Sequence, residues 1–218
     1  MTIIRHLISF VTIIACGFAV NAYLEGITYF DLISVILQTP AYNACLISML
    51  YLYVITPNVG LRSFDAQIAM RHHKRCAWLT VRMTEIFKNT LWFMGSFLAA
   101  LIIPAIVNRG LNFHTQLSEW PWMLCGLALT RLCLLGFTYQ LLSIPTNNRI
   151  WNVGIIIAYL FMVENNQYGM GFLSSIIPQY ILCKEMTYLS LPQAMIIPLQ
   201  ALCALAACYA LYDKRNIL

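Results

Sequence analysis

Six runs of mostly apolar residues divide the chain, near residues 4–23, 33–56, 87–107, 121–143, 150–164 and 191–212. A helix advances about 1.5 Å per residue, so roughly 20 apolar residues cross the ~30 Å hydrocarbon layer of a bilayer. Five of the runs approach or exceed that length. The remaining one, from Ile150 to Val163, rises only about 21 Å. A soluble domain usually carries about 25% charged residues. Only 10% of these 218 residues are charged and 61% are hydrophobic, too few polar groups to solvate a globular surface. The economical reading is an all-α polytopic membrane protein, a single transmembrane domain over residues 1–218 with six transmembrane helices.

Pro40 falls in the second run and Pro198 in the sixth. Both are tolerable in a membrane helix, where neighbours satisfy the carbonyl that a proline frees. The fifth run is followed by "NNQYGMGFLSSIIPQYILCKEM", which Gly169, Gly171 and Pro178 interrupt. This stretch is too apolar for an ordinary loop and too broken for a span. A short re-entrant or extracellular helical pair near 165–190 is expected, buried against protein so that its backbone groups are bonded. The N-terminal run resembles a signal peptide, but no small-residue cleavage site follows it, and it reads as a retained first helix.

Lysine and arginine set the expected orientation. With the N-terminus inside, ten of the 13 basic residues fall in cytoplasmic segments and only Arg109 and Lys184 outside, while Arg131 lies within a span. The expectation is therefore a multi-pass protein of the cytoplasmic membrane with both termini cytoplasmic. Six cysteines (Cys16, Cys45, Cys125, Cys133, Cys203 and Cys208) sit in apolar stretches and no CxxC occurs. They read as small hydrophobes rather than a disulfide framework.

The densest positive charge is "AMRHHKRCAWLTVRMTEIFKN", residues 69–89, on the cytoplasmic connection between the second and third spans. No glycine or proline interrupts it, and Ala, Met, Arg, Lys and Glu favour helix. Asp65 is placed to cap a helix start. A helix near 61–88 is expected, lying along the inner membrane face and then turning into the third span. Its basic residues hold the loop inside and contact anionic lipid headgroups. Nucleic acid is not an expected partner, because no recognised binding module surrounds the run.

Three features resemble the small membrane subunits of ABC type-2 exporters, of the bacteriocin and lantibiotic export or self-immunity type. They are "LRSFDAQIAMRHHKRCAWLTVRMTEIFKNTLW", the short fifth run with its broken sequel, and the tail "YALYDKRNIL". The chain departs from that pattern in starting its first span almost at once, and in Asn216 where an acidic residue is common. The resemblance implies a permease that moves a peptide or amphiphile. It also implies that Asp65, Arg71, His72, Lys74, Arg75 and Trp78 belong to a coupling helix docking on a cytoplasmic ABC ATPase. A second permease subunit, identical or different, would complete the path. No GxxxxGK[ST] motif occurs, so no cofactor is expected on this chain and ATP would be bound by the partner. No enzyme activity of its own is expected, since HExxH, GxSxG and paired intramembrane carboxylates are lacking. The other readings are a substrate-binding membrane subunit of a small-molecule importer and a membrane-embedded immunity or structural subunit.

Two further groups are candidates for the translocation path. Arg131 lies mid-span in "LALTRLCLLGF", where an isolated charge costs about 2.5–3.5 kcal/mol. It either lines a path for an anionic or peptide cargo or pairs with a carbonyl or carboxylate on a neighbouring helix. Glu164, Asn165 and Asn166 end the fifth run, either as an outer gate or as a turn bonded to itself.

Overall fold

The computed structural model describes residues 2–23, 29–39, 42, 46–56, 75–109, 120–146, 148–165 and 191–214, with some helical side chains excepted. The protein is all-helical, and no strand occurs among the described residues. Among the described residues seven helices follow in order: α1 (Thr2–Tyr23), α2 (Tyr29–Gln38), α3 (Ser48–Ile55), α4 (Arg75–Arg109), α5 (Trp120–Thr146), α6 (Arg149–Asn165) and α7 (Leu191–Lys214). Two of them contain segments long and apolar enough to cross a membrane, Leu79–Val107 in α4 and Met123–Pro145 in α5. The expected pair of short helices near 165–190 lies outside the described residues beyond Asn165, as does the tail after Lys214.

Within the expected run over 33–56, α2 is described to Gln38 and α3 from Ser48, and between them Tyr42, Leu46 and Ile47 have wider, π-type helical turns, while Pro40 lies outside the described residues. The Thr39 amide closes the last turn of α2 by donating to the Val35 carbonyl at 2.9 Å.

The expected turn between the basic segment and the third span does not occur between Arg75 and Arg109, which form one 35-residue helix. No glycine or proline precedes Gly95 in it, and Arg82 and Glu85, one turn apart, bond at 2.8 Å across the helix surface. Such spacing supports a helix locally. From Asn89 to Asn108 the helix carries no charge, and these 20 residues rise about 30 Å. The remaining Arg75–Lys88 portion adds about 21 Å at the same rise. The basic end and the apolar stretch are thus two parts of a single rod.

Cross-helix contacts join the elements. Tyr29 donates to the Leu98 carbonyl at 2.8 Å, and Tyr51 meets Thr90 at 2.7 Å, which ties α2 and α3 to α4. Ser48 meets Arg131, and Tyr51 abuts Gly136, so α3 and α5 run the same way. Helix α4 packs against α1, α2, α3, α5 and α7, while α5 makes its most extensive contact with α7. The core is continuous through these contacts and includes Ile36, Leu52, Leu79, Ile86, Phe93, Phe97, Leu132 and Ile197. Outward faces are also apolar. Trp92 on α4 is 71% exposed, Ile150 on α6 85% and Leu202 on α7 62%. The described cysteines Cys16, Cys125, Cys133, Cys203 and Cys208 are free thiols, and Cys203 alone among them is exposed.

Glycine is required where α1 meets the proline of α4. A Cβ on Gly17 would stand 2.7 Å from Pro104 Cγ and 3.1 Å from Leu101 Cδ2. Only a residue without a side chain lets the α1 backbone lie against the proline ring.

Candidate functional site

The interhelical polar centre is built from α3, α4 and α5. Ser48 opens α3 and is fully buried, as is Tyr51 one turn later. Arg131 of α5 is 6% exposed, and its Nη2 donates to Ser48 Oγ at 2.9 Å. A buried guanidinium with five N–H groups needs acceptors, because losing water without replacement costs several kcal/mol. One of its partners is thus a neutral hydroxyl on a neighbouring helix.

One turn along, Tyr51 reaches between α4 and α5. Its hydroxyl lies 2.7 Å from Thr90 Oγ1, while Thr90 gives its single proton to the Ile86 carbonyl at 2.8 Å. Tyr51 is therefore the donor in the first bond, because a threonine hydroxyl has only one hydrogen to give. The Tyr51 ring also meets Phe93 edge-on, with centroids 5.6 Å apart at 68°. On the α5 side, a Cβ at Gly136 would stand 2.8 Å from the Tyr51 hydroxyl and 2.6 Å from Ile86 Cγ2. Gly136 thus makes the space in which three helices converge.

Gln140 lies one turn beyond Gly136 and is fully buried. Neither its Oε1 nor its Nε2 has a partner among the described residues. Buried polar groups are bonded in the great majority of cases, so an amide bare at both ends is an unusual feature of a helix interior. Nearer the chain ends, Thr80 and Tyr209 join α4 to α7 through an exposed hydroxyl pair at 2.9 Å, and the Cys208 thiol faces the Phe137 carbonyl at 3.5 Å.

Of the residues expected to couple to an ATPase, Asp65, Arg71, His72 and Lys74 lie outside the described residues, while Arg75 and Trp78 fall in the first turn of α4. Glu164 and Asn165 end α6, and Asn166 lies outside the described residues. Among the path candidates, Arg131 is the one whose side chain is described. Sequence reasoning passed over Ser48, Tyr51, Thr90, Gly136 and Gln140. The available signal was modest: polar or side-chain-free residues within apolar runs, with Gly136 and Gln140 four apart on one helix face.

Compared with family models, with curated proteins and with solved structures, the chain matches none.

Proposed function

We propose that the chain is a six-span permease subunit of an ATP-driven exporter in the cytoplasmic membrane, with both termini on the cytoplasmic side. The observation that carries the proposal is the unbroken α4, which joins the end of the basic segment at Arg75 to the apolar stretch that ends at Arg109. From Arg75 to Ile103 no proline interrupts the helix, so displacement of its basic end is transmitted along that length, and Pro104 falls only in its last turns. Because α4 packs on α1, α2, α3, α5 and α7, movement of its basic end is felt through most of the bundle. The apolar residues facing outward from α1, α4, α6 and α7 support a lipid surround, since soluble monomers rarely expose such continuous apolar area. The ten-to-two distribution of basic residues supports the orientation.

In this reading a separate ABC ATPase binds the basic segment, and two permease subunits flank the path. Closure of the ATPase pushes on the base of α4, the α3–α4–α5 junction shifts, and the path opens between subunits. The cargo class, a peptide or amphiphile, rests on the resemblance to bacteriocin and lantibiotic exporters. Affinity purification of the tagged protein from native membranes, after crosslinking and in mild detergent, tests the proposal. Recovery of an ATP-binding-cassette chain is expected, and its absence after efficient crosslinking would overturn the reading.

One observation favours a second reading, the substrate-binding membrane subunit of an importer. The Gln140 amide, without a partner among the described residues, offers both a donor and an acceptor within the bundle. A small molecule retained stoichiometrically through purification, and lost in Gln140→Leu, would favour that reading over export.

A further inference from the structure

Arg5 near the start of α1 is held in place by α3. Its Nη1 donates to the Tyr53 carbonyl at 2.9 Å, and its guanidinium carbon lies 4.7 Å from the centroid of the Tyr53 ring. The chain itself explains why that carbonyl is available. In a helix it would accept from the residue four positions on, but that residue is Pro57, which has no N–H. Arg5 supplies the missing donor at the negative end of the α3 dipole. One donor of five is used in this way, and among the described residues no carboxylate pairs with the guanidinium.

The surroundings of this cation are amphipathic. Ile4, Leu7, Ile8 and Val11 share one face of α1, with Ile4 and Leu7 each 60% exposed, and Tyr53 beside Arg5 is 40% exposed. An apolar face about two turns long therefore lies next to a guanidinium that is held in place and has no carboxylate partner among the described residues. Its remaining N–H groups form a planar fork that suits two oxygens of a phosphodiester.

We infer that Arg5 and Tyr53 form the headgroup site of one tightly held anionic phospholipid, whose acyl chain lies along Ile4, Leu7, Ile8 and Val11. The inference rests on the membrane reading proposed above but not on export. The phosphate accepts from the Arg5 fork, the tyrosine ring keeps the guanidinium from swinging into water, and the apolar face takes the chain.

Native mass spectrometry of the detergent-purified protein, supplied with equal phosphatidylglycerol and phosphatidylcholine, tests the site. The wild type is expected to retain phosphatidylglycerol preferentially, Arg5→Gln to retain one such lipid fewer, and Arg5→Lys to bind it about tenfold more weakly for want of the fork. Equal retention by wild type and Arg5→Gln would overturn the inference. If Arg5→Gln does not fold, thermal unfolding of the wild type decides. Phosphatidylglycerol must raise the midpoint, while phosphatidylcholine and inorganic phosphate at the same concentration must not. An equal rise with inorganic phosphate would assign the site to free anions and overturn the lipid. Failure of the protein to fractionate with membranes would sink the membrane reading itself, and so is distinguishable from failure of this site.

Discussion

The Tyr51 hydroxyl stands 2.8 Å from the point a side-chain carbon on Gly136 would occupy. This contact is where α3, α4 and α5 are closest to interlocking. Tyr51 is pinned by its bond to Thr90, and Ile86 is β-branched, so neither neighbour has an easy alternative rotamer. Gly136→Ala is expected to destabilise the protein by about 1–3 kcal/mol through overpacking. Tyr51→Phe alone should cost about 1 kcal/mol, the net worth of one hydrogen bond. The double variant should cost less than the sum of the two, because removing the hydroxyl relieves one of the two close contacts. Thermal unfolding in detergent measures all three, and strict additivity would mean the hydroxyl and Gly136 do not compete for space.

The bond between Arg131 and Ser48 differs in kind, because it involves a buried charge. Ser48→Ala is expected to cost about 1.5–3 kcal/mol, more than Tyr51→Phe, since a hydrogen bond to an ionised group is stronger than one between neutral groups. Under the exporter proposal, Arg131→Leu separates structure from transport. If the guanidinium serves α3–α5 packing, a well-folded leucine variant keeps its transport rate. If it lines the path, transport falls while the unfolding midpoint holds.

Exposure makes the hydroxyl pair between Thr80 and Tyr209 a useful contrast. Water replaces either partner once the other is removed, so Tyr209→Phe should change stability by less than about 0.5 kcal/mol. A loss as large as that of Tyr51→Phe would show that the α4–α7 contact is shielded from water.

The close approach of α1 to Pro104 predicts a coupled pair. Gly17→Ala should destabilise by about 1–3 kcal/mol, because its new methyl meets a rigid ring rather than a flexible chain end. Pro104→Ala should relieve much of that cost when the two are combined, and unfolding midpoints of the four proteins check it. An unchanged penalty in the Pro104→Ala background would place the strain elsewhere.

Helical architecture was legible in the sequence because long apolar runs leave few alternatives. Details set by how successive segments join were legible only in part. Charge suggested that the basic segment lies flat and then turns, whereas helix propensity and the Arg82–Glu85 pair carry the helix straight on from Arg75. The centre around Tyr51, Thr90 and Gly136 was missed for a different reason. Its three members lie on three separate helices, and their meeting depends on interhelical register, which no local pattern encodes. Arg131 was found because a charge among apolar residues announces itself, but its partner Ser48 is an ordinary small residue within its own run.

The central claim is that the basic segment leading into α4 takes its drive from a separate ATPase. Reversing charge at Arg71, Lys74 and Arg75 together tests it most directly, with ATPase co-purification and cysteine accessibility measured on the same membranes. The account predicts unchanged accessibility, and so unchanged topology, with loss of the bound ATPase and of transport. Full ATPase recovery and normal transport in the charge-reversed protein would contradict it and leave the segment as a topology anchor.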